Sequence, residues 1–290
     1  MDERDWYLLS LIGEYKSLSK VSEELFISQP ALSYRLNKIE AYFVSKLFIR
    51  TNRGLQITPQ GKIITDYAKQ YIQSLNSIKE ELYTMENDVK GTLNIGASGA
   101  VAQYLLPSLL AKFHALYPDV DLNLETGFSP TLIEGLMQNR VHVTFLREEL
   151  DISSYKKLLA TDGIYLVSNE PVNIADLPHL NRVEYKTNVS LKLQLDSWWT
   201  QNFKVSPTVA MVVDNAEACK EMVRHGLGYA ILTGLTLNNQ EDLHLVHLKS
   251  NGKKMNRHTW VYATEEAMDY ITVRTFLDFI ETEMQQYDGY

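Results

Sequence analysis

Apolar positions along the first ninety residues recur every three or four residues, and beyond them strands and helices alternate. Leu32, Leu36, Ile39 and Phe43 fall at spacings of four, three and four, which places them on one stripe of a helix. Pro30, Ser33, Tyr34, Asn37 and Lys38 then lie on or near the opposite face. Upstream, Val21, Leu25 and Phe26 are expected to supply the buried side of a shorter helix. Ser28 stands where an N-cap belongs, ahead of Gln29 and Pro30, and proline is tolerated in a first helical turn. Two short helices joined by a tight turn, the second with small polar and basic groups outward, suit the DNA major groove. The run LFIRTNRGLQIT reads as a two-stranded hairpin with Asn52, Arg53 and Gly54 at its turn, a wing beside the second helix.

The next segment is a seam. Ile64, Ala68, Tyr71, Leu75, Ile78, Leu82, Met85 and Val89 alternate spacings of four and three with no proline or glycine between them. A sustained heptad stripe needs a partner, and beside a paired-helix head that partner is expected to be a second copy. Gly91 is expected to end the helix and act as a hinge.

From residue 92 the order becomes strand, helix, strand, helix, strand: TLNIGAS, AVAQYLLPSLLAKFHALYP, DVDLNLET, PTLIEGLMQN and VHVTFL. It recurs as GIYLVS, NRVEY, VSLKLQLDSWWTQNF, TVAMVVD, AEACKEMVRHG and YAILT. This order implies a mostly parallel sheet covered by helices, built as two lobes. The last helix, near ITVRTFLDFIETEMQQY, is expected to return to the first lobe, with hinge strands near 160–165 and 260–264.

Charge sharpens the reading. The chain carries a formal net charge of −8. Residues 28–62 nevertheless hold Arg35, Lys38, Lys46, Arg50, Arg53 and Lys62 against Glu40 alone, a local net of +5. Basic charge concentrated in one segment of an acidic protein is the footprint of phosphate contact. From 91 onward, 24 acidic and 16 basic residues leave −8, so that part should avoid DNA. With one cysteine, Cys219, there is no intrachain disulfide, and its helical setting favours a buried structural thiol. The 7 histidines lack metal-ligand spacing, so no metal and no cofactor are expected. No apolar run is long enough to span a membrane and no signal-peptide pattern opens the chain, so a cytoplasmic protein is expected.

SKVSEELFISQPALSYRLNKIE followed by LFIRTNRGLQITPQG resembles the winged helix-turn-helix of LysR-type transcriptional regulators. The resemblance continues through a linker helix and a two-lobed effector domain. Tyr34 departs from it, standing where that family more often has arginine or another polar residue. The resemblance implies an N-terminal all-α winged helix-turn-helix plus a long linker helix, and a C-terminal α/β two-lobed effector domain like a periplasmic binding protein. The boundaries expected are 1–58 for the head, with the helix-turn-helix about 18–37, and 59–90 for the linker. The effector domain follows at 91–290, lobe one about 91–161 and 265–290, lobe two about 162–264. Double-stranded DNA is the expected partner, read through dyad symmetry, with contacts from Ser28, Gln29, Pro30, Ser33, Tyr34, Arg35, Asn37, Lys38, Arg50 and Arg53. The family also implies a homodimer, a homotetramer, and contact with RNA polymerase.

Ligands in open α/β sheets bind beyond the carboxyl ends of the strands. Those ends carry Ser98 and Gly99, then Thr126 and Ser129, then Arg147, and in the second lobe Lys186 with Thr187 and Asn188; Arg257 precedes the strand expected to cross between lobes. Hydroxyls, helix N-termini and two guanidinium forks favour an anionic effector bearing carboxylates.

IGASGAVAQYLLP, VHVTFLRE, the tryptophan pair at 198–199 and DNAEACKEMVRHGLGYAIL look like the citrate-responsive LysR regulators of central carbon metabolism in low-GC Gram-positive bacteria. In that group an arginine after the VHV-type strand and another before the final strand bind the tricarboxylate, and Arg147 and Arg257 occupy those positions. Glu148 and Glu149 depart from the group's small or neutral residues, and Thr233 from its proline. A different carboxylate, or an aromatic or amino acid, stays open as the effector. An α/β enzyme with a helical accessory head is the competing class. The sequence lacks the nucleophile-elbow, phosphate-loop and dinucleotide-binding signatures it would need.

Overall fold

The structure, a computed structural model, describes residues 1–15, 17–51, 54–85, 89–152, 155–237 and 242–285. The chain divides into two units, Met1–Met85 and Glu86–Tyr290.

The first unit is helical apart from one hairpin: α1 (Glu3–Tyr15), α2 (Leu18–Glu24), α3 (Gln29–Tyr42), β1 (Phe48–Thr51), β2 (Gly54–Ile57) and α4 (Pro59–Met85). Its core gathers Leu8, Leu9 and Ile12 of α1, Val21 of α2, Leu32, Leu36 and Ile39 of α3, and Leu47, Phe48 and Leu55 around the hairpin. Leu25 and Phe43 pack against it as the periodicity requires, but Phe26 is 95% exposed and stands at φ 52 in the turn after α2. The β1–β2 pair is antiparallel, with Arg50 opposite Leu55. Asn52 and Arg53 lie outside the described residues.

The T-P-x-G segment closes the wing onto α4. Thr58 Oγ1 accepts the Gly61 N–H at 3.0 Å and donates to the Lys46 carbonyl at 2.8 Å. A Cβ on Gly61 would stand 2.1 Å from the Leu47 carbonyl oxygen, so only glycine fits this approach.

The expected seam is divided between surroundings. Ala68 is buried in the head core, Ile64 packs beside it, and Tyr71 lies against the Trp6 ring at 5.4 Å. Ile78 and Leu82 are more than half exposed. The helix ends at Met85, and Val89 packs with the core of the second unit. Gly91 opens the next strand at φ 115 rather than ending the helix.

The second unit begins β3 (Gly91–Ala97), α5 (Gly99–Tyr104), α6 (Leu106–Leu116), β4 (Val120–Thr126), α7 (Ser129–Met137), β5 (Val143–Leu146) and β6 (Tyr155–Ser168). It continues β7 (Asn181–Tyr185), α8 (Val189–Asn202), β8 (Thr208–Val213), α9 (Ala216–Arg224), β9 (Ala230–Thr233) and β10 (His244–His247). It closes with the short β11 (Lys249–Ser250) and β12 (Lys253–Lys254), then β13 (Asn256–Ala263) and α10 (Ile271–Gln285). The segment read as one helix at 100–118 breaks at Leu105, where Pro107 starts the first turn of α6.

Strands β4 and β5 flank β3 in parallel, and β13 joins β5 antiparallel. The core of this lobe brings Leu93, Ile95, Phe113 and Phe145 against Val273, Phe276 and Ile280 of α10. The second lobe pairs β7 with β8 in parallel and carries β9 and β10 on the far half of β6. Its core holds Trp198, Trp199 and Tyr229. Strand β6 runs unbroken for 14 residues through both lobes. It pairs with β13 from Tyr155–Ala263 to Gly163–Asn256, with a bulge between Thr259 and Trp260. On β13, residues 260–263 pair with β5, so this strand crosses between lobes at 256–259, earlier than the sequence suggests.

Candidate functional site

Each unit presents one candidate surface. In the head, Ser28 caps α3, accepting the Ala31 N–H at 3.4 Å. Ser28, Gln29, Pro30, Tyr34, Asn37 and Lys38 are exposed along one side of the helix and Ser33 is half-buried. Gln29 Nε2 donates to Ser19 Oγ at 3.1 Å, tying the two helices of the motif, and the Lys38 ammonium sits 4.9 Å over the Tyr34 ring. The helix thus offers the amides of Gln29 and Asn37, the hydroxyls of Ser28 and Ser33 and the amine of Lys38 beside the Tyr34 ring.

Arg35 does not belong to that face. Its guanidinium turns toward α1, 2.8 Å from Asp5 and 3.1 Å from Asp2. Lys46 is likewise paired with Glu40 at 2.6 Å, and Lys62 with Asp66 at 2.6 Å. The local positive charge read from the sequence is therefore partly neutralised within the head. Arg50 contributes its backbone to β1, and Arg53 lies outside the described residues. Glu40 also accepts the backbone N–H groups of Leu47 at 2.9 Å and Phe48 at 3.0 Å, fastening α3 to the wing. Burial opposes ionisation of Glu40, but Lys46 and the two N–H groups outweigh it and hold the carboxyl below its ordinary value.

In the second unit a cavity of about 720 Å³ opens between the lobes. Ser98, Gly99, Thr126, Ser129, Arg147, Lys186 and Arg257 all line it. The N-termini of α7, α8 and α9 face it, two of them capped by Asn188 and Asn215. Their dipoles and free N–H groups favour negative charge. Tyr104, Phe128 and Leu191 supply apolar wall.

Arg147 follows β5 directly and is 6% exposed. It does not pair with Glu148 or Glu149. Its Nη2 lies 2.7 Å from Asp162 of β6, and Nη1 donates to Thr259 Oγ1 at 3.2 Å. The Asp162 contact is ionic in distance only; Nη2 lacks the alignment of a hydrogen bond and has no other partner among the described residues. Arg257, also 6% exposed, donates to Ser190 Oγ at 2.9 Å and Asn188 Oδ1 at 2.8 Å. Burial, and then the charge of Arg147, push Arg257 down to about 10, so it stays charged at neutral pH. Half-buried Tyr185 lines the cavity, and desolvation pushes its phenol up to about 12. Ser98 makes no cap bond; its Oγ is buried without a hydrogen-bond partner among the described residues.

Lys186 is paired at the rim with Asp214 at 2.5 Å, both well exposed. Glu217 is paired with buried Lys220 at 2.8 Å and accepts from the Tyr104 hydroxyl. Sequence reasoning missed Asp162, Tyr104 and Glu217. Asp162 lies inside a strand rather than at its end, and the other two sit within helices facing each other from different lobes. Cys219 is buried, its thiol pushed up to about 12 by burial, as suits an inert structural role. No metal-ligating cluster occurs among the described residues, and none of their helices is long and apolar enough to cross a membrane.

Comparison with known proteins fits this architecture. Residues 4–62 match the family model of the bacterial regulatory helix-turn-helix protein, lysR family, and residues 86–285 that of the LysR substrate binding domain. The chain is 36% identical over 284 residues to the HTH-type transcriptional regulator YraN of Bacillus subtilis (strain 168), covering 98% of each chain. It is 32% identical to YkuM of the same organism, covering 99% of each. A full-length CbnR structure in complex with its target DNA superposes with a TM-score of 0.66 at 17% identity, covering 97% of this chain and 99% of that one. The Vibrio cholerae virulence activator AphB superposes with a TM-score of 0.61 at 18% identity, covering 97% and 99%. These two likenesses concern the fold.

Proposed function

This chain belongs to the LysR family of DNA-binding transcriptional regulators with an effector-binding domain, and on that premise we propose that its effector is a small carboxylate. The observation that carries the reading is the floor of the cavity, where Arg147 and Arg257 are buried beneath three helix N-termini. Guanidinium forks match carboxylates, and a buried cation draws an anion strongly. Citrate is the named candidate, supported by the resemblance of 95–107, 141–148 and 214–232 to citrate-responsive regulators. A less charged carboxylate, such as an aromatic or amino acid, is supported by one observation against citrate: Arg147 already has a carboxylate beside it in Asp162.

The reading extends to assembly and target. The exposed half of α4, with Ile78 and Leu82, supports a homodimer that places two copies of α3 on an operator with dyad symmetry. Assembly to a tetramer, contact with RNA polymerase and a cytoplasmic setting follow from the family. Effector closure of the lobes would change how the dimer presents its heads.

The test is a thermal-shift and calorimetric titration of the full chain with citrate, isocitrate, malate and an aromatic acid, beside an operator gel shift. A carboxylate should raise the melting temperature because it binds the folded state. Arg147→Ala and Arg257→Ala should each remove most of that rise while leaving ligand-free DNA binding unchanged. Carboxylate binding that survives both substitutions would overturn the assignment of this cavity.

A further inference from the structure

We propose that Asp162 sets the number of carboxylates the effector cavity accepts, and that it sets it at one; this rests on the carboxylate reading above. The floor holds two buried guanidiniums and one half-buried carboxylate, which touches Arg147. Asp162 Oδ1 is 2.7 Å from Arg147, and its Oδ2 accepts the Leu235 N–H at 3.0 Å. Its Cα is the cross-strand partner of Arg257 on the paired β6 and β13. A short side chain on a hydrogen-bonded strand, held from two sides, keeps its place. Asp162 does not line the cavity but touches Arg147, which does, so it acts on a ligand through that arginine.

Arg257 is left without a carboxylate in contact. Its two donated bonds go to neutral acceptors, Ser190 and Asn188. Glu148, half-buried, acts on it only through its field. The rim adds no net charge, because Lys186 is paired with Asp214 and Glu217 with Lys220. The contact-level balance of the floor is one unmatched positive charge. An unmatched buried cation is costly, and one monoanion relieves it. A second carboxylate would have to share Arg147 with Asp162, where like charges repel. The class of ligand that fits is a monocarboxylate with an uncharged body, seated against Tyr104, Phe128 and Leu191.

The experiment is calorimetry on the full chain, wild type against Asp162→Asn, with citrate and benzoate as the two anions. Asparagine keeps an acceptor for the Leu235 N–H and removes the charge. We expect citrate affinity to rise at least about tenfold in Asp162→Asn, with benzoate changing less. Unchanged citrate-to-benzoate selectivity would overturn the inference, as would wild-type citrate binding equal to or tighter than benzoate. If such citrate binding is lost in Arg257→Ala, the carboxylate reading stands while the role of Asp162 falls. If neither anion binds either protein, both fall. Should Asp162→Asn fail to fold, Asp162→Ser gives the same comparison, with the melting temperature reporting the fold in each case.

Discussion

Arg35 of the recognition helix is clasped to the first turn of α1, its guanidinium 2.8 Å from Asp5. Asp5 is also one half of a reciprocal cap: its N–H donates to Asp2 at 2.9 Å, and the Asp2 N–H donates back to Asp5 at 3.0 Å. The same two carboxylates therefore begin one helix and restrain a cation on another. Replacing both with asparagine, a competent cap, should release Arg35 toward phosphate. Affinity for DNA of any sequence should rise, and the dependence of log affinity on log salt should steepen by about one. An unchanged slope in a salt titration would show that Arg35 cannot reach the backbone.

Glu40 couples the recognition helix to the wing. Its depressed titration means that the stability it provides is present above the ordinary glutamate value and is lost as pH falls through the lower folded value. Glu40→Gln should destabilise the head by about 1–2 kcal/mol, since charge-assisted bonds to two N–H groups are replaced by weaker ones. Denaturant unfolding at pH 7 checks the magnitude.

Two left-handed positions in the head are filled by bulky apolar residues: Phe26 at φ 52 and Val44 at φ 48, both more than nine-tenths exposed. Neither buries enough surface to offset a conformation that costs about 1–2 kcal/mol for an L-residue. Phe26→Asn and Val44→Gly should each stabilise the head by about 1 kcal/mol. A fall in melting temperature for either would mean that its side chain makes a contact worth more than the strain.

His142 in the first lobe is buried, accepts the Asn94 N–H on Nδ1 at 3.3 Å, and is pushed down to about 4 by burial. The folded protein holds it neutral, whereas the unfolded chain protonates it near 6.5. Its contribution is complete above 6.5 and is lost as pH falls through 4, a change of roughly 3 kcal/mol. His142→Gln should flatten the stability profile of residues 86–285 across that window, measured by urea unfolding at several pH values.

The exposed end of α4 carries the dimer hypothesis. Ile78→Asp with Leu82→Asp should convert the protein to monomers and abolish operator binding, while the Ala68–Tyr71 end keeps the head folded. Light scattering showing an unchanged dimer would place the interface elsewhere.

Periodicity made α3 legible, because a 3.6-residue repeat fixes which side chains point inward whatever they pack against. It did not reveal Arg35, since the acids that turn it aside, Asp2 and Asp5, lie 33 and 30 residues away at the start of α1. The same blindness explains the seam. Ile64 to Val89 form one heptad series, but the aromatic ring of Trp6 and the α1 core take its first half. Phe26 reads as apolar and hence inward, yet a tight turn decides its direction rather than a helix. The cavity was legible at strand ends, where Arg147 and the helix N-termini gather by topology. Asp162, within a strand, carries no local signal; only the pairing of β6 with β13 brings it beside the arginines.

The unbroken passage of β6 through both lobes, bonded along its first part to β13, makes the joint a two-stranded ribbon. A two-stranded ribbon carries a strong right-handed twist, which a bulge increases locally. Its one irregularity, the bulge between Thr259 and Trp260, follows Arg257 by two residues. The joint between the lobes thus departs from regular pairing two residues past a buried cation, so an anion that neutralises Arg257 acts next to the kink in the ribbon that links them.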